Sequence, residues 1–230
     1  MIKLPAPRVQ KPLPTIAEKQ VLKRAIPWVV AAVAVIAFGA SFSELQRMRA
    51  RFGEVTRHQF HDHQDVRLFA IRAALGEANQ PIVIIGDSIT EMSRLPETIN
   101  GRPVVNAGIG GATISDFRAI APRMLEGSNP SLMVVALGAN GAGSLQEDYA
   151  ALLRQLRKWS PRLLAIAVTP MSGSDLVNIA IRAAAQSEGV QFVEMPMPAG
   201  STLADHVHLN AAGYRIWTPA LVAAIASATG

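Results

Sequence analysis

Cysteine is absent from all 230 residues, which excludes disulfides, thiolate metal sites and a cysteine nucleophile. The absence leaves the compartment open, because a cysteine-free chain survives oxidising and reducing surroundings alike. Aromatic residues make up only 5% and charged residues 17%, while half of the chain is hydrophobic. That balance excludes a disordered polymer and permits a sizeable core. A basic body is missing too. The net charge of +5 is accounted for by residues 1–24, where Lys3, Arg8, Lys11, Lys19, Lys23 and Arg24 face the single acid Glu18. Residues 25–230 are therefore neutral, and the high isoelectric point is no nucleic-acid signal. Two motifs are also lacking: the G-x-S-x-G elbow of the α/β-hydrolases and the G-x-G-x-x-G dinucleotide fingerprint.

After the basic tail comes Ala25–Phe42, eighteen residues without a charge. At about 1.5 Å each they extend roughly 27 Å, enough to cross a bilayer core. Trp28 sits near one end, where an amphipathic ring suits the interface. The expectation is an uncleaved transmembrane anchor at 25–42. A cleaved signal peptide with Ala37 and Gly39 at its site is the alternative, disfavoured by the long polar leader and the length of the apolar run. The six basic residues before the run outnumber Arg47, Arg49, Arg51 and Arg57 after it. That bias puts the tail in the cytoplasm and the rest outside, as in a single-pass inner-membrane protein facing the periplasm.

Residues 43–78 read as a helical stalk, with Leu45, Met48, Phe52 and Val55 at three- and four-residue intervals. It is expected to act as a spacer or to dimerise. Within it His58, His61, Asp62 and Asp65 share a helical face; the spacing could hold a divalent metal, but a solvated face is the commoner use of such a run. No metal is expected.

From residue 79 to 230 short aliphatic runs alternate with helical periodicity, which predicts an α/β domain built on one doubly wound, five-stranded parallel sheet. The expected strands are Ile82–Ile85, Val104–Asn106, Leu132–Leu137, Leu163–Val168 and Val190–Val193. Expected helices cover Thr113–Glu126, a segment after Ser144, Leu176–Ser187 and Ala211–Ser227, with Pro219 breaking or kinking the last. Thr113 with Asp116, and Ser144 with Glu147, have capping-box spacing.

Ligands gather at the carboxyl ends of such strands. The first junction, Gly86-Asp87-Ser88-Ile89-Thr90, presents a serine at a helix start, although Asp87 and Ser88 read equally as cap residues. The second, Asn106-Ala107-Gly108-Ile109-Gly110-Gly111, allows close backbone approach to a substrate. The third holds Asn140 followed by Gly141, a side-chain amide that also fits a plain turn. The fourth, Asp205-His206-Val207-His208, offers a base and a carboxylate three residues apart, in what is otherwise a surface turn.

In their order and spacing these four blocks resemble those of the SGNH (GDSL-type) hydrolases, over the chain from Pro81 to the last helix. The resemblance implies a flavodoxin-like three-layer fold and a serine esterase that needs no cofactor. It implies Ser88 as nucleophile, His208 as base and Asp205 as its partner. Ser88, Gly111 and Asn140 would form the oxyanion hole. Gly141 departs from the family pattern, which usually carries an acid there; His206 lies one residue off the base position. The expected substrate is a small-molecule, glycan or lipid ester, with acyl or acetyl groups of cell-envelope carbohydrate or lipid foremost. Two other readings stay open: an acyltransferase using the same triad, and a non-catalytic envelope-assembly module on this scaffold.

Overall fold

The structure is a computed structural model describing residues 16–141, 144–171 and 173–230, with side chains described except at 16–25 and 55–61. The basic tail up to residue 15 and the His58 and His61 imidazoles therefore lie outside the described residues. The chain divides into two units, Met1–Arg57 and His58–Gly230. In the first, the segment Ile26–Glu54 of helix α1 (Ile16–Glu77) is long and apolar enough to cross a membrane.

The second unit is built on a sheet of six strands: β1 (Ile82–Gly86), β2 (Thr98–Ile99), β3 (Arg102–Gly108), β4 (Leu132–Ala136), β5 (Leu163–Ile166) and β6 (Gln191–Val193). Their order is β2-β3-β1-β4-β5-β6. All pairs are parallel except β2 with β3. The expected five parallel strands are present, and the sixth, β2, is a two-residue antiparallel edge too short to leave a periodic signal. The chain runs from β1 to β3 on one side and then to β4 on the other. This reversal makes the carboxyl end of β1 the topological switch point.

Alternate residues of each strand feed two cores. Val83, Ile85, Val105, Met133 and Val135 point to one face, under α3 (Ile114–Met124), α4 (Leu145–Leu156) and α5 (Ser174–Ser187). Ile82, Ile84, Leu132, Val134 and Ile166 point to the other, under α6 (Ala211–Thr229), whose Trp217, Leu221 and Ile225 are buried. Burial on both faces is why these strands read as unbroken aliphatic runs.

Three local expectations need correction. Leu68, Ile71 and Leu75 of α1 are buried in the first core, so part of the segment read as a stalk belongs to the compact unit. The capping box forms at Thr113 and Asp116 but not at Ser144, whose side chain makes no cap hydrogen bond at φ −75°, ψ 62°. Helix α6 runs through Pro219 unbroken. The missing amide is one hydrogen bond in a helix whose Trp217 and Leu221 are locked in the core on either side of it.

Candidate active site

The short helix α2 (Ser88–Glu91) starts directly at the carboxyl end of β1. Glycine permits this. A Cβ at Gly108 would lie 2.3 Å from the Glu91 amide nitrogen, so only glycine lets α2 rest on the end of β3. Asp87 caps α2 by accepting the Ile89 N–H at 3.0 Å. Asp87 is buried, and burial pushes its pKa up to about 6 against the lowering effects of the Ile89 bond and of the His208 charge.

The segment after β6 folds back as a turn in which Leu203 N–H donates to His208 O and Asn210 N–H to Ser201 O. Asn210 then caps α6 by accepting the Gly213 N–H. Inside this turn Asp205 Oδ1 accepts from the Val207 and His208 amides, both at 3.0 Å. Its Oδ2 lies 2.7 Å from His208 Nδ1. The Val207 bond, followed by the His208 side chain and amide, lowers the Asp205 pKa to about 2. An ionised carboxylate accepts only, so Nδ1 carries the imidazole proton and Nε2 is left as an acceptor. Nε2 sits 2.9 Å from Ser88 Oγ, which donates to it. His206, at φ +57°, is exposed and donates its N–H to Leu203 O, as a turn residue does.

The backbone donors stand nearby in sequence. Within residues 108–112, Gly108 N–H goes to Asn106 Oδ1, Ile109 N–H to Gly86 O, Gly110 N–H to Glu91 and Ala112 N–H to Ile109 O. Gly111, at φ +77°, has no partner for its N–H among the described residues, and neither has Ser88. Asn140 joins the same loop by donating one amide N–H to Ala112 O at 3.3 Å. Because α2 is one turn long, its macrodipole adds little, and free N–H groups rather than a helix field are what it offers an anion.

Two hollows are lined by these segments or by their sequence neighbours. One of about 590 Å³ is lined by Met92, Tyr214, Arg215 and Pro219. The other, about 220 Å³, is lined by Thr113, Asn140, Gly141 and Leu145. Sequence reasoning did not single out Glu91, Arg67 and His63, which meet here, and it gave no role to the side chain of Asn106, whose amide donates to Thr90 O at 2.8 Å. Their signal was spacing alone: Glu91 follows Ser88 by three residues, and His63 and Arg67 are four apart on α1.

Comparison with known proteins bears on this site. Residues 84–216 match the model of the GDSL-like Lipase/Acylhydrolase family. No curated protein matches the chain. Among solved structures, a protein from Streptococcus pneumonia, provisionally described as a platelet activating factor, is similar at TM-score 0.65 and 19% identity. The likeness covers 76% of this chain and 99% of that one. LAE5, an alpha/beta hydrolase enzyme from the metagenome of Lake Arreo, Spain, gives 0.55 and 17%, covering 66% and 97%. A catalytic mutant of Axe2, an acetylxylan esterase from Geobacillus stearothermophilus, gives 0.52 and 14%, covering 64% and 94%. At such identities the solved structures speak for the fold.

Proposed function

The chain belongs to the GDSL-like Lipase/Acylhydrolase family and is a serine enzyme that hydrolyses esters; from that premise we propose that Ser88, His208 and Asp205 form its catalytic triad. The observation that carries this reading is the chain of two short contacts, Ser88 Oγ to His208 Nε2 at 2.9 Å and Nδ1 to Asp205 at 2.7 Å. Ser88 Oγ attacks the ester carbonyl as Nε2 takes its proton, and Asp205 stabilises the imidazolium that results. The free Ser88 and Gly111 N–H groups and the Asn140 amide receive the oxyanion. His208 then protonates the departing alcohol, and the same imidazole activates the water that releases the acid.

Residues 25–42 act as an uncleaved anchor behind a cytoplasmic tail at 1–24. The body is held on the periplasmic side of the inner membrane. Support comes from the exposure of Trp28, Val33, Ile36 and Phe38, a row of apolar side chains that water does not favour and lipid does. Leu45 and Met48, exposed beyond the anchor, support self-association of that stretch as a homodimer. The substrate is an acyl or acetyl ester of envelope carbohydrate or lipid, in keeping with that location.

Turnover of acetyl, butyryl and octanoyl aryl esters by the full chain in detergent tests the chemistry. A serine-directed phosphonate should label the wild type and leave Ser88→Ala unlabelled; labelling that persists in Ser88→Ala removes the triad. A C-terminal reporter active only in the cytoplasm would overturn the orientation, and release of a shortened soluble form would replace the anchor by a signal peptide.

A further inference from the structure

The Glu91 carboxylate is three residues beyond the nucleophile and largely shielded from solvent, with 19% of its side chain exposed. Its Oε2 accepts the Gly110 N–H and stands 3.0 Å from His63 Nε2. Its Oε1 is 3.4 Å from Arg67 Nε. Arg67 in turn donates to the Gly108 carbonyl, from Nε at 3.0 Å and Nη2 at 2.8 Å, and from Nη2 to Asn106 O at 3.2 Å. One guanidinium and one carboxylate thus grip the backbone on both sides of Ile109. The space is tight: a Cβ at Gly110 would lie 3.1 Å from Glu91 Oε2, 3.6 Å from His63 Nε2 and 3.8 Å from Ser88 Cβ.

The neighbour of Gly110 is Gly111, the loop residue whose N–H is unclaimed among the described residues. A glycine pair has no side chains to hold it, and the Ala112 N–H to Ile109 O bond closes the turn without fixing the planes inside it, so an external tie adds rigidity. We propose that Glu91 is the positioning residue of the oxyanion hole: by holding the Gly110 N–H it fixes the Ile109–Gly110 peptide, and with it the turn that aims the following Gly111 N–H at the reacting carbonyl. His63 and Arg67 of α1 hold the carboxylate in place. Their donors have a second effect. A bare carboxylate beside a developing oxyanion would oppose it, and the His63 hydrogen bond together with the Arg67 ion pair offsets its charge at the reacting centre.

The inference rests on the serine-esterase reading and deepens it. It predicts a loss confined to the transition state, because the loop has little to hold before the carbonyl oxygen becomes an anion. In the full chain in detergent, kcat is measured per phosphonate-titrated site, so that misfolded protein does not count. Glu91→Ala should lower kcat by at least about tenfold, short of the 10²–10³ typical of losing a donor outright. KM should stay unchanged, and the inhibition constant of an aryl boronate, which forms a tetrahedral adduct on serine, should rise by the same factor as kcat falls. Glu91→Gln keeps an acceptor for Gly110 and should recover most of the rate. A merely structural role would change the titrated fraction and leave the boronate constant and the rate per site alone. Wild-type rate per site in Glu91→Ala, or a Glu91→Gln as slow as Glu91→Ala, overturns the inference and leaves the triad standing. A wild type that neither turns over esters nor takes the phosphonate at Ser88 overturns both.

Discussion

The Tyr214 hydroxyl donates to the Ile89 carbonyl at 3.0 Å, bonding the first turn of α6 to the helix that carries Ser88. The proposed base and nucleophile, His208 and Ser88, come from segments 120 residues apart, and Tyr214 ties their elements directly. Its ring stands edge-on to Trp217 with centroids 6.3 Å apart, which anchors it to the buried face of α6. Burial, with the Asp87 charge adding to it, pushes its pKa up to about 12, so it stays a donor across the working range of pH.

Tyr214→Phe should therefore cost about 1 kcal/mol of stability, the usual net worth of one hydrogen bond, and should lower kcat more than that loss alone would. Denaturant unfolding and ester turnover check the two separately. An unchanged kcat would mean that the turn at 201–210 sets the His208–Ser88 distance by itself.

Asp205 has its pKa lowered to about 2, and the sign is fixed by that direction. Its contribution to stability is present above the ordinary carboxylate pKa and is lost only as pH falls through about 2. Between pH 4 and 9 it stays ionised, so no step in the pH–rate profile there belongs to it. Asp205→Asn should lower kcat by about 10⁴, because the imidazole takes the wrong tautomer. KM should hold, and the thermal midpoint should fall only slightly, by the loss of the charged bonds. A drop in midpoint matching the drop in rate would mark Asp205 as structural instead.

Asp87 shows the opposite sign. Its pKa is raised to about 6, so the folded state keeps a proton that the unfolded chain has released. Stability is full below about pH 4 and falls as pH rises through 6, by up to about 3 kcal/mol at 1.36 kcal/mol per unit. Asp87→Asn keeps an oxygen acceptor for the Ile89 N–H and removes that slope. Unfolding free energies of the two proteins at pH 4 and 8 should diverge only at the higher pH. Parallel curves would mean that the buried carboxyl is compensated in both states.

Asn140→Ala should lower kcat by about 10²–10³ with KM unchanged, as expected for one oxyanion donor. The neighbouring position behaves differently. Gly141 adopts φ +119°, where a side chain is strained whatever the space around it. The acid that the family usually carries there cannot be restored without cost: Gly141→Asp should destabilise the protein by about 1–3 kcal/mol and should not speed it. A faster and equally stable Gly141→Asp would show that the loop has a second conformation suited to an acid.

The aliphatic runs at Ile82–Ile85 and Leu132–Ala136 made β1 and β4 legible, because strands covered on both faces need apolar residues at every position. The Thr113–Asp116 cap was legible for a similar reason, since its two bonds join residues three apart. Ser88, Asp205, His208, Gly111 and Asn140 were legible because the order and spacing of the four junctions resemble the SGNH pattern, and a parallel sheet gathers such junctions at one edge. Other features were set only by packing. Edge strand β2 is defined by its pairing with Arg102 and Pro103 rather than by any pattern of its own. Pro219 stays helical because Trp217 and Leu221 are held in the core. Most of all, His63, Arg67 and Glu91 are ordinary surface-type residues in the sequence. They become a clamp because α1 lies against the ends of α2 and β3, with partners 28 to 41 residues away. Periodicity records which face of an element is buried, but a polar contact across such a span leaves no periodic trace, and only the packed helix brings its two ends together.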